Sequence, residues 1–117
     1  MKQLKTLSDL SKTWLIDIDG VIFVHNYYLD HKKDKIIPGI KKLFQKIGKD
    51  DFVILLTARK KEYKELTIKS LKQYNIKYDK IIFNLPVGER ILINDIKPKG
   101  LKTAIAVNTT RDKACYK

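Results

Sequence analysis

The chain has 117 residues, which is enough for one hydrophobic core and therefore for a single domain spanning 1–117. Hydrophobic residues make up 44% of it, which excludes a disordered chain, and no apolar stretch suits a signal peptide or a membrane span, so we expect a cytoplasmic protein. The net charge of +12 rests on lysine, because only three of the 25 basic residues are arginine. We therefore expect a solvated cationic surface rather than a nucleic-acid site.

Five short apolar runs rich in Ile, Val and Leu predict buried strands, near 13–18, 52–57, 80–83, 90–94 and 103–107. Apolar residues at helical spacing predict two helices between the first three strands, one following Pro38 and a lysine-rich one before the third strand. This alternation predicts a Rossmann-like α/β fold with a mostly parallel sheet of about five strands, covered on both faces, in which the first strand is central. Ligands of such sheets bind beyond the carboxyl ends of the strands, which here are the loops after Ile18, Leu56 and Asn94.

Residues 20–37 are too long for a tight connection between the first strand and the helix that follows. We expect them to fold back as a β-hairpin and to form a flap over the end of the first strand. The flap contains His25 and His31. We interpret both as solvated, because isolated histidines in a polar loop seldom have a chemical role.

Two carboxylates end the first predicted strand, in the segment Asp17-Ile18-Asp19-Gly20. The two-residue period of a strand directs both to the same side before the chain turns at the glycine. Two close carboxylates repel each other unless a hard cation such as Mg²⁺ lies between them, and Mg²⁺ also binds phosphate oxygens. The alternative is an Asp-Gly turn with one solvated aspartate.

The second and fourth predicted strands end in further polar groups. Thr57 and the amide of Ala58 are candidates to bind phosphoryl oxygens, although a threonine there is equally suited to cap the next helix. Asp95 follows Asn94 and is a third carboxylate that could reach the same metal. The alternative for this pair is a simple Asn-Asp turn.

In this order, and each at the end of a predicted strand, Asp17, Asp19, Thr57 and Asp95 resemble the motifs of phosphatases of the haloacid dehalogenase (HAD) superfamily. The resemblance covers nearly the whole chain and implies a HAD-like three-layer sandwich in which Asp17 attacks phosphorus and forms an aspartyl phosphate. Asp19 would protonate the leaving alkoxide and then activate water. Mg²⁺ would be held by the carboxylates of Asp17 and Asp95 and by the backbone carbonyl of Asp19. The substrate-binding residues carried over in this way are Ala58, Arg59 and Asn94.

Within this superfamily the chain looks capless, because neither the 20–37 flap nor the segment after Thr57 is long enough for a cap domain. Its Leu-Leu-Thr-Ala-Arg and Leu-Ile-Asn-Asp-Ile-Lys-Pro segments look like those of small bacterial proteins associated with capsule and lipopolysaccharide biosynthesis. That likeness suggests a sugar phosphate as substrate, in surface polysaccharide biosynthesis. An open site implies that specificity depends on the flap or on a second copy of the chain.

The sequence departs from the superfamily pattern where a lysine normally follows the third strand, since 84–86 are Asn-Leu-Pro. Arg59 and Lys97 fall in loops at the catalytic edge and are candidates to replace it. We favour Lys97, because Pro98 restricts its backbone, and the alternative is a solvent-facing lysine. Arg90, at the start of the fourth predicted strand, would lie about 16 Å from the metal at roughly 3.3 Å per residue, so we interpret it as structural.

Two other classes of protein have to be compared. A response-regulator receiver shares the length, the sheet and the acidic cluster, but its phospho-acceptor aspartate ends the third strand, where this chain has Asn84. A basic nucleic-acid-binding or regulatory module with a relic phosphatase site would also account for the charge. The intact Asp17, Asp19 and Asp95 argue against that alternative.

Overall fold

The structure, a computed structural model, describes residues 7–116 and the side chains of residues 7–114. In chain order its elements are β1 (Thr13–Asp17), α1 (Tyr27–His31), α2 (Ile40–Phe44), β2 (Phe52–Leu56), α3 (Lys64–Gln73), β3 (Lys80–Ile82), β4 (Thr109–Thr110) and β5 (Cys115–Tyr116). One turn of 3₁₀ helix, Lys61–Tyr63, leads into α3. No helix in this part of the chain is long and apolar enough to cross a membrane.

Three of the strands form a parallel sheet in the order β1-β2-β3, which confirms the α/β class and the first three predicted strands. Asp17 pairs with Leu56, and Leu56 in turn pairs with Ile82. The carboxyl ends of the three strands therefore meet at one edge of the sheet. That edge is where the loops with the predicted chemistry begin.

The hydrophobic core lies on one face of this sheet. The period of two directs Ile16, Val53 and Leu55 to that face, where each is at most 6% exposed, and α2 and α3 contribute the residues that pack against them. On the opposite face Leu15 and Phe52 are 48% and 46% exposed. Among the described residues the sheet is thus covered on one face, whereas the sequence pattern predicted cover on both.

Both predicted helices are confirmed. Gly39 precedes α2 with a φ of 92°, a left-handed value that favours glycine, and this sharp turn starts the helix directly after Pro38. In α3 the buried residues Thr67, Ser70 and Leu71 recur at three- and four-residue spacing, which turns one face of the helix to the sheet. The lysines of α3 remain on its exposed face.

The 20–37 flap differs from the predicted β-hairpin, because its tip is the short helix α1. Its two limbs are joined by only two backbone hydrogen bonds, from the amide of Val24 to the carbonyl of Lys35 and from the amide of Ile37 to the carbonyl of Ile22, both 2.9 Å. The limbs are held instead by burial, since Ile22 and Phe23 are fully buried in the core. The flap is therefore an integral layer of the fold.

The predicted strands at 90–94 and 103–107 are not strands in the structure, so the parallel sheet has three members and β1 lies at its edge rather than at its centre. Ile91 and Ile93 are 84% and 89% exposed. An apolar run becomes a strand only where a neighbouring edge takes its backbone hydrogen bonds, and this run meets no such edge among the described residues. After it, β4 and β5 form a separate antiparallel hairpin around the turn 111–114.

Candidate active site

The two motif aspartates lie where β1 passes into a turn. The amide of Ile18 still donates to the carbonyl of Leu56 (2.9 Å), which extends the strand pairing by one residue beyond Asp17. The chain then bends at Gly20, whose φ of 81° is easily adopted only by glycine. The side chain of Asp17 is 40% exposed and that of Asp19 is 19% exposed, so Asp17 is the more accessible of the two carboxylates.

Both carboxylate oxygens of Asp19 are held by hydrogen bonds. The hydroxyl of Thr57 donates to Oδ2 (2.6 Å) and the Nε of Arg59 donates to Oδ1 (2.9 Å). Thr57 is fully buried, and its Oγ1 also accepts the amide of Arg59 (3.0 Å). The structure therefore brings Asp19, Thr57 and Arg59 together, with the threonine hydroxyl directed at a carboxylate instead of at solvent.

Arg59, which we expected among the substrate-binding residues, has a side chain that is only 1% exposed. Its Nη1 and Nη2 donate to the two carboxylate oxygens of Asp34 (3.0 and 2.7 Å), and Nη1 also donates to Thr67 (3.0 Å). Burial alone would lower the pKa of Arg59, but the hydrogen bonds to Asp34 and the charges of Asp34 and Asp19 outweigh it and raise the pKa. The guanidinium stays charged inside the protein and does not face solvent.

Asp17 makes no such set of contacts. Burial raises the pKa of the Asp17 carboxyl, and the nearby charge of Asp19 raises it further, while the charges of Arg90 and His25 act in the opposite direction. An exposed carboxylate whose charge is only partly compensated attracts a cation. Asp17 is accordingly the position at which a metal ion or a substrate cation would relieve the most charge.

The cation nearest to Asp17 in the described part of the chain is one that we had interpreted as structural. Nη2 of Arg90 lies 3.7 Å from Oδ1 of Asp17. The distance of about 16 Å estimated from the sequence assumed that 90–94 is a strand, and the structure has no strand there. One signal could have identified Arg90, since it is the first basic residue after β3.

The remaining predicted site residues at 94–97 are exposed, and their contacts are with Leu101 and Thr103 instead of Asp17, whereas Ala58 is half-buried next to Thr57. Lys97 closes a turn in which its amide donates to the carbonyl of Leu101 (2.9 Å), and the side chain of Asn94 donates to the carbonyl of Thr103 (3.2 Å). The carbonyl of Asp95 accepts the hydroxyl of Thr103. Among the described residues no three His, Cys, Asp or Glu side chains are grouped as metal ligands, so Asp95 does not join Asp17 and Asp19 here.

The turn 111–114 contacts the loop that follows β1, at Gly20 and His25, and no pattern in the sequence indicated this contact. The amide of Asp112 donates to the carbonyl of Gly20 (2.9 Å), and its Oδ1 accepts the amide of His25 (2.8 Å). A Cβ added to Gly20 would lie 3.3 Å from Cγ of Arg111. The turn therefore packs against the bend after Asp19 and forms a hydrogen bond with the first limb of the flap.

Comparisons with protein-family models, with curated proteins and with solved structures find no match to this chain.

A cleft also lies at the other end of the strands. It measures about 710 Å³ and lies between residues 7–12 and 46–51. The carboxylate of Asp51 there accepts the amides of Lys12 and Gly48 and the indole N–H of Trp14, at 2.8 to 2.9 Å. These contacts join β1 to the loop before β2, so Asp51 has a structural role.

Proposed function

We propose that this chain is a Mg²⁺-dependent phosphomonoester hydrolase of the HAD type that works through an aspartyl phosphate. One observation carries the proposal: an accessible carboxylate, Asp17, lies beside a second carboxylate, Asp19, both of whose oxygens are held by Thr57 and Arg59. The first carboxylate is accessible, and it can attack an electrophile once its ion pair with Arg90 opens. The second is fixed, as a group that transfers protons at a defined place has to be.

In the proposed reaction a carboxylate oxygen of Asp17 attacks phosphorus, and the alkoxide that leaves takes a proton from Asp19. Asp19 then removes a proton from the water that attacks the aspartyl phosphate, which returns Asp17 to its free form. The amide of Ala58 has no acceptor among the described residues. It is therefore free to donate to a phosphoryl oxygen, the role expected for it from the sequence.

The donor set at Asp17 fits a hard cation in part. The carbonyl of Asp19 accepts no hydrogen bond from the described residues, and the side chain of Asp17 is 40% exposed, so a carbonyl and a carboxylate oxygen are available together. Asp95 would be the third ligand. Mg²⁺ bound there would neutralise charge on the transferring phosphoryl group.

Recruitment of Asp95 requires the finer, five-stranded HAD-like arrangement, which we include in the proposal. Within residues 7–116 the second edge of β1 pairs with no strand, and Ile91 and Ile93 are left exposed. Parallel pairing of 90–94 with that edge would give this run its hydrogen bonds and carry Asp95 to the level of Asp17. The same pairing would move Arg90 about 16 Å away, because five residues of strand separate it from Asp95.

The ion pair between Arg90 and Asp17 and the approach of Asp95 therefore exclude each other. We assign turnover to the arrangement in which 90–94 pairs with β1, because Asp95 would then supply a metal ligand. In that arrangement Lys97 would also lie near the site, as the cation that replaces the usual lysine. Asp95→Asn should then lower the affinity for Mg²⁺ and lower kcat by at least tenfold. Arg90→Ala should leave kcat unchanged or raise it, and a large loss of kcat in Arg90→Ala would assign the cationic role to Arg90 instead.

The substrate class rests on the resemblance described above, which suggests a sugar phosphate of surface polysaccharide biosynthesis. The test is a screen of the purified chain with Mg²⁺ against phosphorylated sugars, nucleotides and 5′-phosphorylated oligonucleotides, with Asp17→Asn as the control. We expect release of phosphate that is lost in Asp17→Asn. Binding of oligonucleotides without any hydrolysis would favour the alternative of a basic binding module with a relic site.

The five-stranded arrangement has its own test in amide hydrogen exchange. Residues 91–94 should exchange fast in the free chain and become protected when Mg²⁺ and orthovanadate, a phosphoryl analogue, are added together. Unchanged exchange in an active preparation would count against the pairing of this segment with β1. Asp95→Asn is the matched control, because it should remove the protection without altering the segment's apolar residues.

A further inference from the structure

The flap carries a buried carboxylate that the proposed reaction does not use. Asp34 is 4% exposed, although it is surrounded in sequence by Lys32, Lys33 and Lys35, all of which are exposed. Its carboxylate binds the two Nη atoms of Arg59 at 2.7 and 3.0 Å. A buried acidic side chain with bidentate pairing is rare enough to need a reason.

The contacts of Arg59 indicate that reason. Asp34 takes both Nη atoms, Thr67 accepts a second bond from Nη1, and the ring of Tyr28 lies 3.8 Å from the guanidinium carbon. These partners fix the plane of the guanidinium. Its one remaining nitrogen, Nε, donates to Oδ1 of Asp19. The fixed plane thus determines the direction from which Asp19 is held.

We propose that Asp34 is a positioning residue that acts through Arg59 on the acid/base carboxylate Asp19. The proposal rests on the proposed function, because it assigns a role within the same site. Thr57 holds one oxygen of Asp19 and Arg59 holds the other, so the carboxylate cannot rotate while both bonds persist. Without Asp34 the guanidinium loses its anchor, and Asp19 is held at one oxygen only.

The position of Asp34 in the chain gives this contact a second consequence. Asp34 lies on the returning limb of the flap, 25 residues before Arg59, and the backbone carbonyl of Asp34 also accepts the hydroxyl of Tyr74 (3.3 Å). The placement of the flap and the orientation of Asp19 are therefore linked through one side chain. A flap displaced from the core would leave the nucleophile intact but misplace the acid/base group.

The test compares Asp34→Asn with Asp51→Asn. Both substitutions remove the charge of a carboxylate that accepts strong hydrogen bonds, two at Asp34 and three at Asp51, but Asp51 lies at the opposite ends of the strands. With Mg²⁺ and p-nitrophenyl phosphate, Asp34→Asn should lower kcat about 30-fold while KM changes less than threefold, a scale set by misplacement of a catalytic group by about 1 Å. Asp51→Asn should leave kcat within about twofold at temperatures where it is folded.

A double-mutant cycle separates positioning from general loosening. In the Asp19→Asn background the further change Asp34→Asn should have little effect on residual turnover, because the group that it positions is already lost. Equal losses from Asp34→Asn in both backgrounds, or equal losses of kcat in Asp34→Asn and Asp51→Asn, would overturn the proposal. If Asp34→Asn does not fold, Asp34→Glu keeps the charge and should still lower kcat about tenfold by displacing Arg59.

A second readout does not depend on turnover. The Nε–Hε group of Arg59, observed by ¹⁵N NMR, should exchange slowly with solvent in the unaltered chain, and at least tenfold faster in folded Asp34→Asn and in Asp19→Asn. Asp51→Asn should not change it. A chain without phosphatase activity would contradict the proposed function, whereas an Arg59 signal unaffected by Asp34→Asn would contradict the positioning role itself.

Discussion

Thr57→Val is the sharpest perturbation of the site, because it removes one hydroxyl and changes almost nothing else. The side chain is fully buried, valine has the same shape, and no cavity is left. Two hydrogen bonds disappear: the one that Thr57 donates to Asp19 and the one that it accepts from the amide of Arg59. The first is a bond to a carboxylate, and the second leaves a buried N–H without an acceptor.

The expected cost follows from those two bonds. Loss of a bond to a charged group costs about 1.5–3 kcal/mol and an unsatisfied buried amide about 1–3 kcal/mol, and because such values overlap we expect about 3 kcal/mol in total. That is less than the roughly 5–15 kcal/mol of a typical domain, so the variant should fold, with a Tm lower by about 10 °C. Turnover should fall more steeply. An acid/base group contributes about 10²–10⁴ in rate, so freeing one oxygen of Asp19 should lower kcat roughly 10- to 100-fold.

The assay combines urea unfolding with kcat on p-nitrophenyl phosphate, and Ser70→Ala is the control. Ser70 is also buried and its hydroxyl donates to the carbonyl of Leu66 (3.0 Å), but it contacts neither Arg59 nor Asp19. It should lose about 1 kcal/mol of stability and keep kcat within about threefold. A folded Thr57→Val protein with nearly unchanged kcat would refute the reasoning, as would equal losses of kcat in both variants.

Three further outcomes are expected. Asp17→Asn should raise the Tm in thermal melts at pH 7 but not at pH 3. Burial, and then the charge of Asp19, raise the pKa of Asp17 in the folded chain, so its ionised form destabilises the fold above the pKa of about 3.9 that the group has in the unfolded chain. Hydrogen bonds from the backbone and an indole lower the pKa of Asp51, so the ionised carboxylate stabilises the fold above about pH 4 and this stabilisation is lost on acidification. Between pH 6 and 3 the free energy of unfolding in urea should therefore depend less on pH in Asp51→Asn than in the unaltered chain. Asp112→Ala should cost about 1 kcal/mol and lower kcat, because the amide of His25 loses its acceptor beside the bend at Gly20; an unchanged kcat would remove the turn 111–114 from the site.

The sequence predicted the part of the site that follows strands with a clear apolar period. β1 ends at Asp17 and β2 at Leu56, and Asp19 and Thr57 lie one or two residues beyond these ends, so parallel pairing alone brings these residues to one edge. The α/β class follows from the same runs and from the two helices between them. The roles assigned to these residues stay predictions until turnover is measured.

The contacts of Arg59 could not be predicted in the same way. Asp34 stands among lysines in a polar segment, a pattern typical of a solvated surface, and its partner lies 25 residues away. The contact depends on how the flap packs. A β-hairpin was predicted there because the segment is too long for a tight connection, and the burial of Ile22 and Phe23 in the core has no local signal in the sequence. The strands predicted within 90–107 were wrong for the opposite reason. The apolar pattern of this segment indicates strands, but a strand forms only where the edge of another strand takes its backbone hydrogen bonds.

The site is consequently divided between two kinds of structure. Asp17 ends β1, and Asp19 and Thr57 closely follow strands of a sheet whose core residues are almost fully buried. Arg90 and Asp95 belong to an exposed segment, in which Arg90 forms an ion pair of 3.7 Å with Asp17. An exposed pair at that distance contributes at most about 1 kcal/mol, so exchanging it for the approach of Asp95 requires little energy. In the proposed reaction the acid/base half of the site can therefore be rigid while the proposed metal half is assembled by ligands, and the affinity for Mg²⁺ should then be the property most sensitive to changes in residues 90–95.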